Sequence, residues 1–516
     1  MYRRSSREGI AYRRGQAHPL RWRAWSLALT VTLTACAVGP AYVKPKPPPV
    51  SGYTAEPVTA TLPAAAGGGP GPQKLEYGAS VTPTWWEGIG SPALNELISR
   101  ALAHNPGLEA ARQTLEQAQY NLKAVEGIFY PQVSLGLSAE RTRTSGAESG
   151  GHVGPNLYNL YTGQVFVSYF PDVFGLNRLV AQNAQAQVDV ARDQLIAAQL
   201  TIEGNAANAA LELAGLDARI DATEKTIADQ KAVLDLIRAQ YRFGAVSQLQ
   251  VATQQSQLAS TEAELPTLQL ARDQVRHLLA TFLGEFPAQA TALPTLRLSE
   301  LHLPPTAPVS LPSTLVRARP DVLAAEAQLR AANAQVGEAV ARMYPDLVLT
   351  GSFGNESNTW DKFFTSATRI WDVAAAAALP VFEGGTLEAQ KHAAQAAYLA
   401  VFANYENTVL GAFRNVADAL RALERDATAL DAQSRALEAA RTGFELARDQ
   451  YQAGEVDYLG LLISEVQYQN ARIAYINAET QRYTDTVALY IALGGGAIDT
   501  AAGHAPDAGE PEAARN

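Results

Sequence analysis

The chain has little cysteine, little methionine and no long hydrophobic run. One Cys and two Met occur in 516 residues. A single thiol excludes a disulfide scaffold and any zinc site built on Cys pairs. No stretch of about 18 uninterrupted apolar residues occurs, which argues against a bundle of membrane-spanning helices.

Positive charge and catalytic motifs are also scarce. The formal net charge of −10 argues against a nucleic-acid-binding protein, which would need a basic face. The seven His residues are scattered without HExxH spacing and have no Cys partner. The sequence therefore predicts a protein that is not an enzyme and holds no metal or cofactor.

The N-terminus has the order of a secretory signal. Seven Arg precede a short apolar run, Ala24–Ala35, which ends at the chain's single Cys, Cys36. Leu33-Thr34-Ala35-Cys36 resembles the bacterial lipobox, in which the thiol receives a diacylglycerol and becomes the mature N-terminus. We predict a signal peptide at residues 1–35, a lipid on Cys36 and, since Ala37 is not Asp, delivery to the outer membrane. The alternative is a short buried helix with an incidental thiol.

An internal duplication organises most of the chain. Asn105-Pro106 and Arg319-Pro320 each precede a helical pattern, and Pro131 and Pro345 end these two patterns at the same distance from their starts. Two further landmark pairs follow in the same order, again about 210 residues apart. We predict a lipidated tether at 36–83, structural repeats at 84–300 and 301–498, and a disordered tail at 499–516.

Each repeat contains one very long helical pattern. Leu213, Ile220, Ile227 and Leu234 are spaced by seven, and an equivalent series recurs at the corresponding positions of the second repeat. Sustained heptads predict coiled-coil packing. The proline-free segments 176–243 and 386–451 would each span about 100 Å as helices. A purely structural coiled coil anchored in the periplasm is one interpretation of this pattern.

Short alternating segments lie between the helical patterns and argue against that interpretation. The sequences after Pro131 and Pro345 place apolar residues mostly at odd positions, which is typical of strands with one apolar face. We predict hairpins at about 132–171 and 346–381, with polar loops at about 142–161 and 355–369. Strands of about 10 residues are long enough to cross an outer membrane when tilted. Since four strands leave open edges in lipid, several chains must contribute to one barrel, and three chains give twelve strands.

Several motifs in the same order resemble the outer-membrane factors, the TolC-like exit ducts, and more closely the lipoprotein branch that serves resistance-nodulation-division efflux pumps. The motifs are Cys36-Ala37-Val38-Gly39-Pro40, Trp85-Trp86, Ala101-Leu102-Ala103-His104-Asn105-Pro106, Leu311-Pro312-Ser313, Arg319-Pro320-Asp321-Val322, Pro380-Val381-Phe382-Glu383-Gly384-Gly385 and Leu493-Gly494-Gly495-Gly496. The resemblance covers nearly all of the chain from Cys36 to about Gly496.

The resemblance implies a mainly α protein with a small β part. Three chains would form a long-helix coiled-coil α-barrel and a 12-stranded transmembrane β-barrel, with four strands per chain. The implied partners are two further copies of the chain, a periplasmic membrane-fusion adaptor protein, an inner-membrane resistance-nodulation-division pump and outer-membrane lipid. The implied location is the outer membrane of a Gram-negative bacterium, with a periplasmic extension.

The resemblance also assigns roles at the helix ends. It places Tyr241, Gly244, Tyr451 and Gly454 at the periplasmic tip, in contact with the adaptor. In the family, a Leu and an Asp after the second tip Gly narrow the closed end. Leu459 matches that Leu, but Ile463 stands where the Asp is expected. Asp457 or Glu465 would then supply the acidic ring, the alternative being that both are ordinary solvated residues.

The favoured function is passive conduction of small molecules from the periplasmic pump and adaptor to the cell exterior. The alternative with the same fold is an exit channel for type I protein secretion. The lipid anchor and Arg319-Pro320-Asp321 favour the efflux duct.

Overall fold

The computed structural model describes residues 38–65, 70–145 and 156–496. The predicted signal peptide, the lipidation site Cys36 and the tail at 499–516 lie outside the described residues. Within these ranges the chain contains eight α-helices and seven strands. The helices are α1 (Pro92–His104), α2 (Pro106–Glu126), α3 (Leu176–Arg242), α4 (Gln248–Phe282), α5 (Pro312–Ala318), α6 (Pro320–Ala341), α7 (Thr386–Ala453) and α8 (Tyr458–Ala492).

The helix lengths repeat between the two halves of the chain. Helices α3 and α7 contain 67 and 68 residues, and α4 and α8 contain 35 residues each. At 1.5 Å per residue, α3 and α7 are each about 100 Å long. The order of a shorter helix, two strands, a long helix and a 35-residue helix occurs twice. The predicted fold class, mainly α with a small β part and an internal duplication, is confirmed.

The starts of two helices show how local sequence sets their bounds. At α1, Pro92 occupies the first turn and the Ser91 side chain accepts a hydrogen bond from the Leu94 N–H. Both features favour a helix start. Proline has no N–H group that could be left unpaired in the first turn, and the serine side chain accepts a hydrogen bond from an N–H group that would otherwise be unpaired. At α2, Asn105 Oδ1 accepts hydrogen bonds from the N–H groups of Gly107 and Leu108.

Chain contacts divide the protein into two compact units. The described parts of the first are residues 38–41, 124–145, 156–182 and 333–395, and those of the second are 42–65, 70–123, 183–332 and 396–496. In the part of the chain that the structure describes, no helix is both long enough and apolar enough to cross a membrane.

The first unit contains a four-stranded antiparallel sheet. Its strands, in order across the sheet, are β3 (Gln132–Thr144), β4 (Asn156–Tyr169), β6 (Asp346–Ser357) and β7 (Arg369–Ala378). The predicted polar loops were too long. Strand β3 continues to Thr144 and β6 to Ser357, because cross-strand hydrogen bonds pair these polar ends as regularly as the apolar centres.

The second unit contains a smaller sheet and the main hydrophobic core. Strand β2 (Gln73–Tyr77) pairs with β1 (Thr61–Leu62) and, in parallel, with β5 (Thr306–Val309). Leu62 and Leu75 are buried in the same core as α3, α7 and α8. The segment at 36–83, predicted as a tether, thus contributes side chains to the main core. Strand β2 was not predicted, because it is short and lies in a segment rich in Pro and Gly. Its parallel partner, β5, lies at the start of the second repeat.

Candidate functional site

The four-stranded sheet has one continuous apolar face. In an antiparallel pair, residues directly opposite one another point to the same side of the sheet. Following the observed register from β3 to β7 assigns Leu135, Val165, Phe353 and Trp371 to one side. The apolar face comprises Val133, Leu135, Leu137, Ala139, Leu157, Tyr161, Gly163, Val165, Val167, Tyr169, Leu347, Leu349, Gly351, Phe353, Trp371, Val373, Ala375 and Ala377.

The opposite face of the sheet is mostly polar, and both outer edges are open. Ser134, Ser138 and Gln164 point to this side, and the Ser352 hydroxyl donates a hydrogen bond to the Asp372 carboxylate. Among the described residues, β3 pairs only with β4 and β7 pairs only with β6. A sheet with one apolar face and two free edges is incomplete as a single chain.

The α3–α4 turn is a tight helix reversal. Gly244 adopts a positive φ of 73°, and the Ala245 N–H donates to the Gln240 carbonyl at 2.9 Å. This is the Schellman arrangement, which satisfies the last carbonyl groups of a helix. Helix α4 then begins with a capping box, in which Ser247 Oγ accepts from the Gln250 N–H and Gln250 Oε1 accepts from the Ser247 N–H.

The α7–α8 turn repeats this geometry in the second half of the chain. Gly454 has a φ of 79°, and the Glu455 N–H donates to the Gln450 carbonyl at 2.9 Å. Asp457 then caps α8, because its Oδ1 accepts from the Gly460 N–H at 2.8 Å. The two turns therefore have the same spacing of Gly and cap, and Asp457 has a definite structural role.

The predicted tip residues differ in exposure. Tyr241 is 45% exposed, whereas Tyr451 is buried and its hydroxyl donates to Gln240 Oε1 at 2.7 Å. Phe243, next to the first turn, is 89% exposed. Tyr451 thus links the ends of α3 and α7, and the accessible aromatic surface lies at the α3–α4 turn.

The three candidate gate residues occupy different environments. Leu459 is 58% exposed, and Asp457 is exposed at the start of α8. Glu465, by contrast, is 3% exposed and does not lie on an open surface of the chain. Ile463, which replaces the expected Asp, is 49% exposed.

Glu465 belongs to a buried polar cluster that the sequence interpretation missed. Gln230 of α3 and Gln254 of α4 are fully buried, and the Tyr458 hydroxyl donates to Gln254 Oε1 at 2.8 Å. Among the described residues, neither Glu465 carboxyl oxygen has a hydrogen-bond partner of good geometry. Burial raises the pKa of the Glu465 carboxyl to about 7, partly opposed by the nearby Gln230 amide. The sequence carried one indication that Glu465 is buried: its spacing from Tyr458 and Leu461 places all three residues on one helix face.

The Arg319 motif near the start of the second repeat and the glycine motif at its end form one structural junction. Arg319 pairs with Asp321 through two hydrogen bonds, and Arg319 Nη1 donates to the Ala492 carbonyl at the end of α8. Gly495 and Gly496 both have positive φ. A Cβ on Gly496 would lie 2.5 Å from the Thr82 carbonyl carbon, so glycine is required by space as well as by conformation.

Trp85 of the Trp85-Trp86 motif is held inside the core of the second unit. Its ring stacks on Tyr490 with centroids 5.3 Å apart, and Nε1 donates to Glu203 Oε2 at 3.3 Å. Burial raises the pKa of the Glu203 carboxyl to about 7, against hydrogen bonds from Gln199 and Trp85. This motif therefore positions helices, and it is not a surface site.

The described residues hold no cluster of His, Cys, Asp and Glu suited to a metal ion. Two features of the structure indicate its function: an amphipathic sheet with two free edges, and paired helix turns that carry exposed side chains. Together they are typical of a membrane channel protein with long helical extensions.

The chain belongs to the Outer membrane efflux protein family, which it matches over residues 97–285 and 311–495. The two matched ranges correspond to the two structural repeats. The protein is thus an efflux channel of the Gram-negative outer membrane, with a periplasmic helical extension, and not an enzyme.

The similarity to known proteins covers most of the chain. The Pyoverdine export outer membrane protein OpmQ of Pseudomonas putida is 29% identical over 80% of this chain and 88% of its own length. Outer membrane protein OprJ of Pseudomonas aeruginosa is 28% identical over 91% of this chain and 95% of its own length. The solved structure of the outer-membrane channel OprN matches with a TM-score of 0.80 and 27% identity, covering 89% of this chain and 99% of that chain.

Proposed function

We propose that three copies of this chain form one passive duct, which conducts small molecules from a periplasmic pump and adaptor to the cell exterior. The observation that carries the proposal is the four-stranded sheet with one apolar face and two free edges. In lipid every backbone polar group must be paired, so the edges of one copy pair with those of the next. Three such sheets give the predicted twelve strands.

The long helices support the same assembly. Helices α3 and α7 each carry heptad positions on one side, and three copies of each, with the shorter helices stacked beside them, make the predicted α-barrel. No step needs a catalytic group or ATP in this chain, because the duct only provides a path.

Single-channel recording tests the duct directly. The purified full-length chain is added to a planar lipid bilayer, and we expect discrete conductance steps from a trimeric species. A chain that assembles as a trimer yet neither inserts nor conducts would overturn the duct and favour a periplasmic structural coiled coil.

The lipid anchor is part of the proposal. Cys36 precedes a segment that is held along the protein: the Val38 N–H donates to the Phe174 carbonyl, and Asn333 Nδ2 donates to the Pro40 carbonyl. A lipidated Cys36 would add acyl chains to the membrane contact at about 0.8 kcal/mol per buried CH₂. Mass spectrometry of the mature N-terminus should find a lipid-modified Cys36, and C36S should abolish it. An unmodified N-terminus upstream of Cys36 would contradict the anchor.

The proposed partners are a periplasmic membrane-fusion adaptor at the helix turns and a resistance-nodulation-division pump. Exposed Tyr241 and Phe243 beside Gly244, and the matching turn at Gly454, offer the contact surface. One similar protein is named for pyoverdine export, which supports small-molecule cargo here. The second candidate, type I protein secretion, shares the fold. Deletion of the gene should raise sensitivity to small toxic compounds; loss of a secreted protein without this change would favour secretion.

We propose that Leu459 and Asp457 line the narrow end of the duct. Both are exposed close to the α7–α8 turn, whereas Glu465 is buried within one chain. D457N separates the charge of Asp457 from its capping role, because asparagine also caps helices well. A ring of three carboxylates favours cations, so D457N should lower cation selectivity with little loss of stability. Unchanged selectivity would remove Asp457 from the gate.

A further inference from the structure

The apolar face changes character at the end of the sheet farthest from the flanking helices. On β3, Leu137 and Ala139 are followed on the same side by Arg141 and Arg143. On β7 the first residue, Arg369, lies on this side as well, because it pairs with Asn355, which pairs with Gly163. Three arginines therefore border the apolar face at one end.

The β6–β7 loop brings aromatic rings to the same border. A Cβ on Gly163 would lie 2.7 Å from Phe363 Cζ, so the Phe363 ring covers Gly163 on the apolar face. Trp360 stacks on Phe363 with centroids 5.3 Å apart, and meets Tyr161 edge-on at 5.7 Å. Trp360 and Phe364 remain 61% and 77% exposed. We call Arg141, Arg143, Arg369, Trp360 and Phe364 the arginine collar.

The three arginines are available for a ligand. Each is exposed, and none forms an ion pair with another described residue. The Arg369 guanidinium lies over the Phe353 ring, 5.9 Å from its centroid.

The acidic groups nearby are directed elsewhere or already engaged. Glu140, Glu356 and Asp372 alternate to the polar face, and Asp361 in the loop hydrogen-bonds with Thr359. On the described part of this end of the apolar face, positive charge is therefore unopposed.

We propose that the arginine collar binds the phosphates of a phosphorylated glycolipid in the outer leaflet. The proposal rests on the duct function, which turns the apolar face towards lipid. Guanidinium forks match phosphate oxygens bidentately. Arginine costs far less free energy at the membrane interface than at the midplane, so this border is where arginine is tolerated. Exposed Trp and Phe suit the same depth. Arg141 and Arg143, two residues apart on the same side of β3, match a head group with two phosphates better than a single phosphodiester, and Arg369 adds a third guanidinium at the opposite edge of the sheet.

Native mass spectrometry of the full-length protein in detergent tests this site. The probes are diphosphorylated lipid A, fully dephosphorylated lipid A and phosphatidylglycerol. The test variant is R141Q/R143Q/R369Q, and the matched control R238Q/R435Q/R441Q removes three arginines from α3 and α7. We expect the test variant to bind diphosphorylated lipid A at least tenfold more weakly, and the control to stay within twofold of the parent. The parent should bind dephosphorylated lipid A as weakly as the test variant binds the diphosphorylated form.

Unchanged binding by the test variant would overturn the site, and equal binding of phosphatidylglycerol by the parent would overturn the assignment to a glycolipid. Should the triple variant fold poorly, R143Q alone should give a partial loss, and R141K/R143K/R369K, which keeps the charge but not the fork, should bind more weakly than the parent and more tightly than R141Q/R143Q/R369Q. Channel recording on the same samples keeps the two proposals apart. If the test variant conducts and binds diphosphorylated lipid A as well as the parent, only the head-group site is wrong. If the parent itself does not conduct, the duct is wrong.

Discussion

Glu465, Gln230 and Gln254 form a polar layer within an otherwise apolar helix end. Apolar side chains flank the layer: Val233 and Ile237 of α3 on one side, and Ile227 and Leu258 on another. Buried polar groups without full hydrogen bonding weaken packing, by roughly 1–3 kcal/mol for each unsatisfied group. The end of the helical region that bears the turns is therefore held less tightly than the apolar core around α1.

The protonation of Glu465 should make stability depend on pH. The unfolded carboxyl titrates near 4.5 and the folded one near 7, so the folded state binds the proton more strongly. No penalty exists below the unfolded pKa; it grows as pH rises from 4.5 and is complete above 7. A difference of this size corresponds to about 3 kcal/mol. Asp229 also faces the carboxyl and adds to the effect.

The measurement compares thermal unfolding of the parent and E465Q between pH 4.5 and pH 8. Since glutamine stays neutral, we expect E465Q to match the parent at low pH and to be the more stable protein at pH 8. E455Q, at an exposed acid near the same turn, serves as the control and should track the parent throughout. Parallel curves for the parent and E465Q would show that the carboxyl is solvated in solution.

At the scale of elements, the glycines that end helices fall into two kinds. Gly244 and Gly454 adopt positive φ with open space where a Cβ would point. Gly496, after α8, has the same conformation but faces the backbone of Thr82 and Pro83. The first kind is needed only for conformation, and the second also for a close approach between segments far apart in sequence.

Alanine substitution should separate these two requirements. G454A should cost about 1–2 kcal/mol, the usual penalty for a non-glycine residue in this conformation. G496A should cost about 1–3 kcal/mol more, because overpacking forces the neighbouring backbone to shift. Chemical unfolding of the two variants beside the parent gives the comparison. Equal losses would mean that the Thr82–Pro83 segment yields freely.

The sequence predicted the elements well where the information was local. Heptads, Pro-bounded segments and period-two alternation indicated all of the long helices and both hairpins. The parallel pairing of Gln73–Tyr77 with Thr306–Val309 could not be predicted, since it depends on a contact between the start of one repeat and the start of the other. The burial of Glu465 was missed for a related reason: one helix shows which face a residue occupies, but not what covers that face.

At the scale of the whole molecule, the sheet carries opposite requirements on its two faces. Leu135 and Ser134 are neighbours on β3, yet they point to the apolar and polar faces respectively. In a trimer every substitution occurs three times around the assembly. The two faces should therefore respond very differently to the same added charge.

L135R and S134R test this asymmetry. Arginine at a mid-membrane, lipid-facing position costs about 2–4 kcal/mol per chain, whereas the polar face tolerates it. We expect L135R to reduce the trimer recovered from outer membranes severely and S134R to leave it near the parent level. Similar recovery of both variants would mean that the apolar face does not contact lipid.

The two free edges of the sheet also have a consequence for assembly. Before the proposed trimer forms, β3 and β7 of a single chain expose unpaired backbone groups next to an apolar surface, which is a template for aggregation. Strand β7 includes five consecutive alanines, Ala374–Ala378, and alanine is a poor strand former with little surface to bury. This composition makes one edge a weak template for unrelated strands, so it should lower the risk of aggregation before the proposed trimer forms.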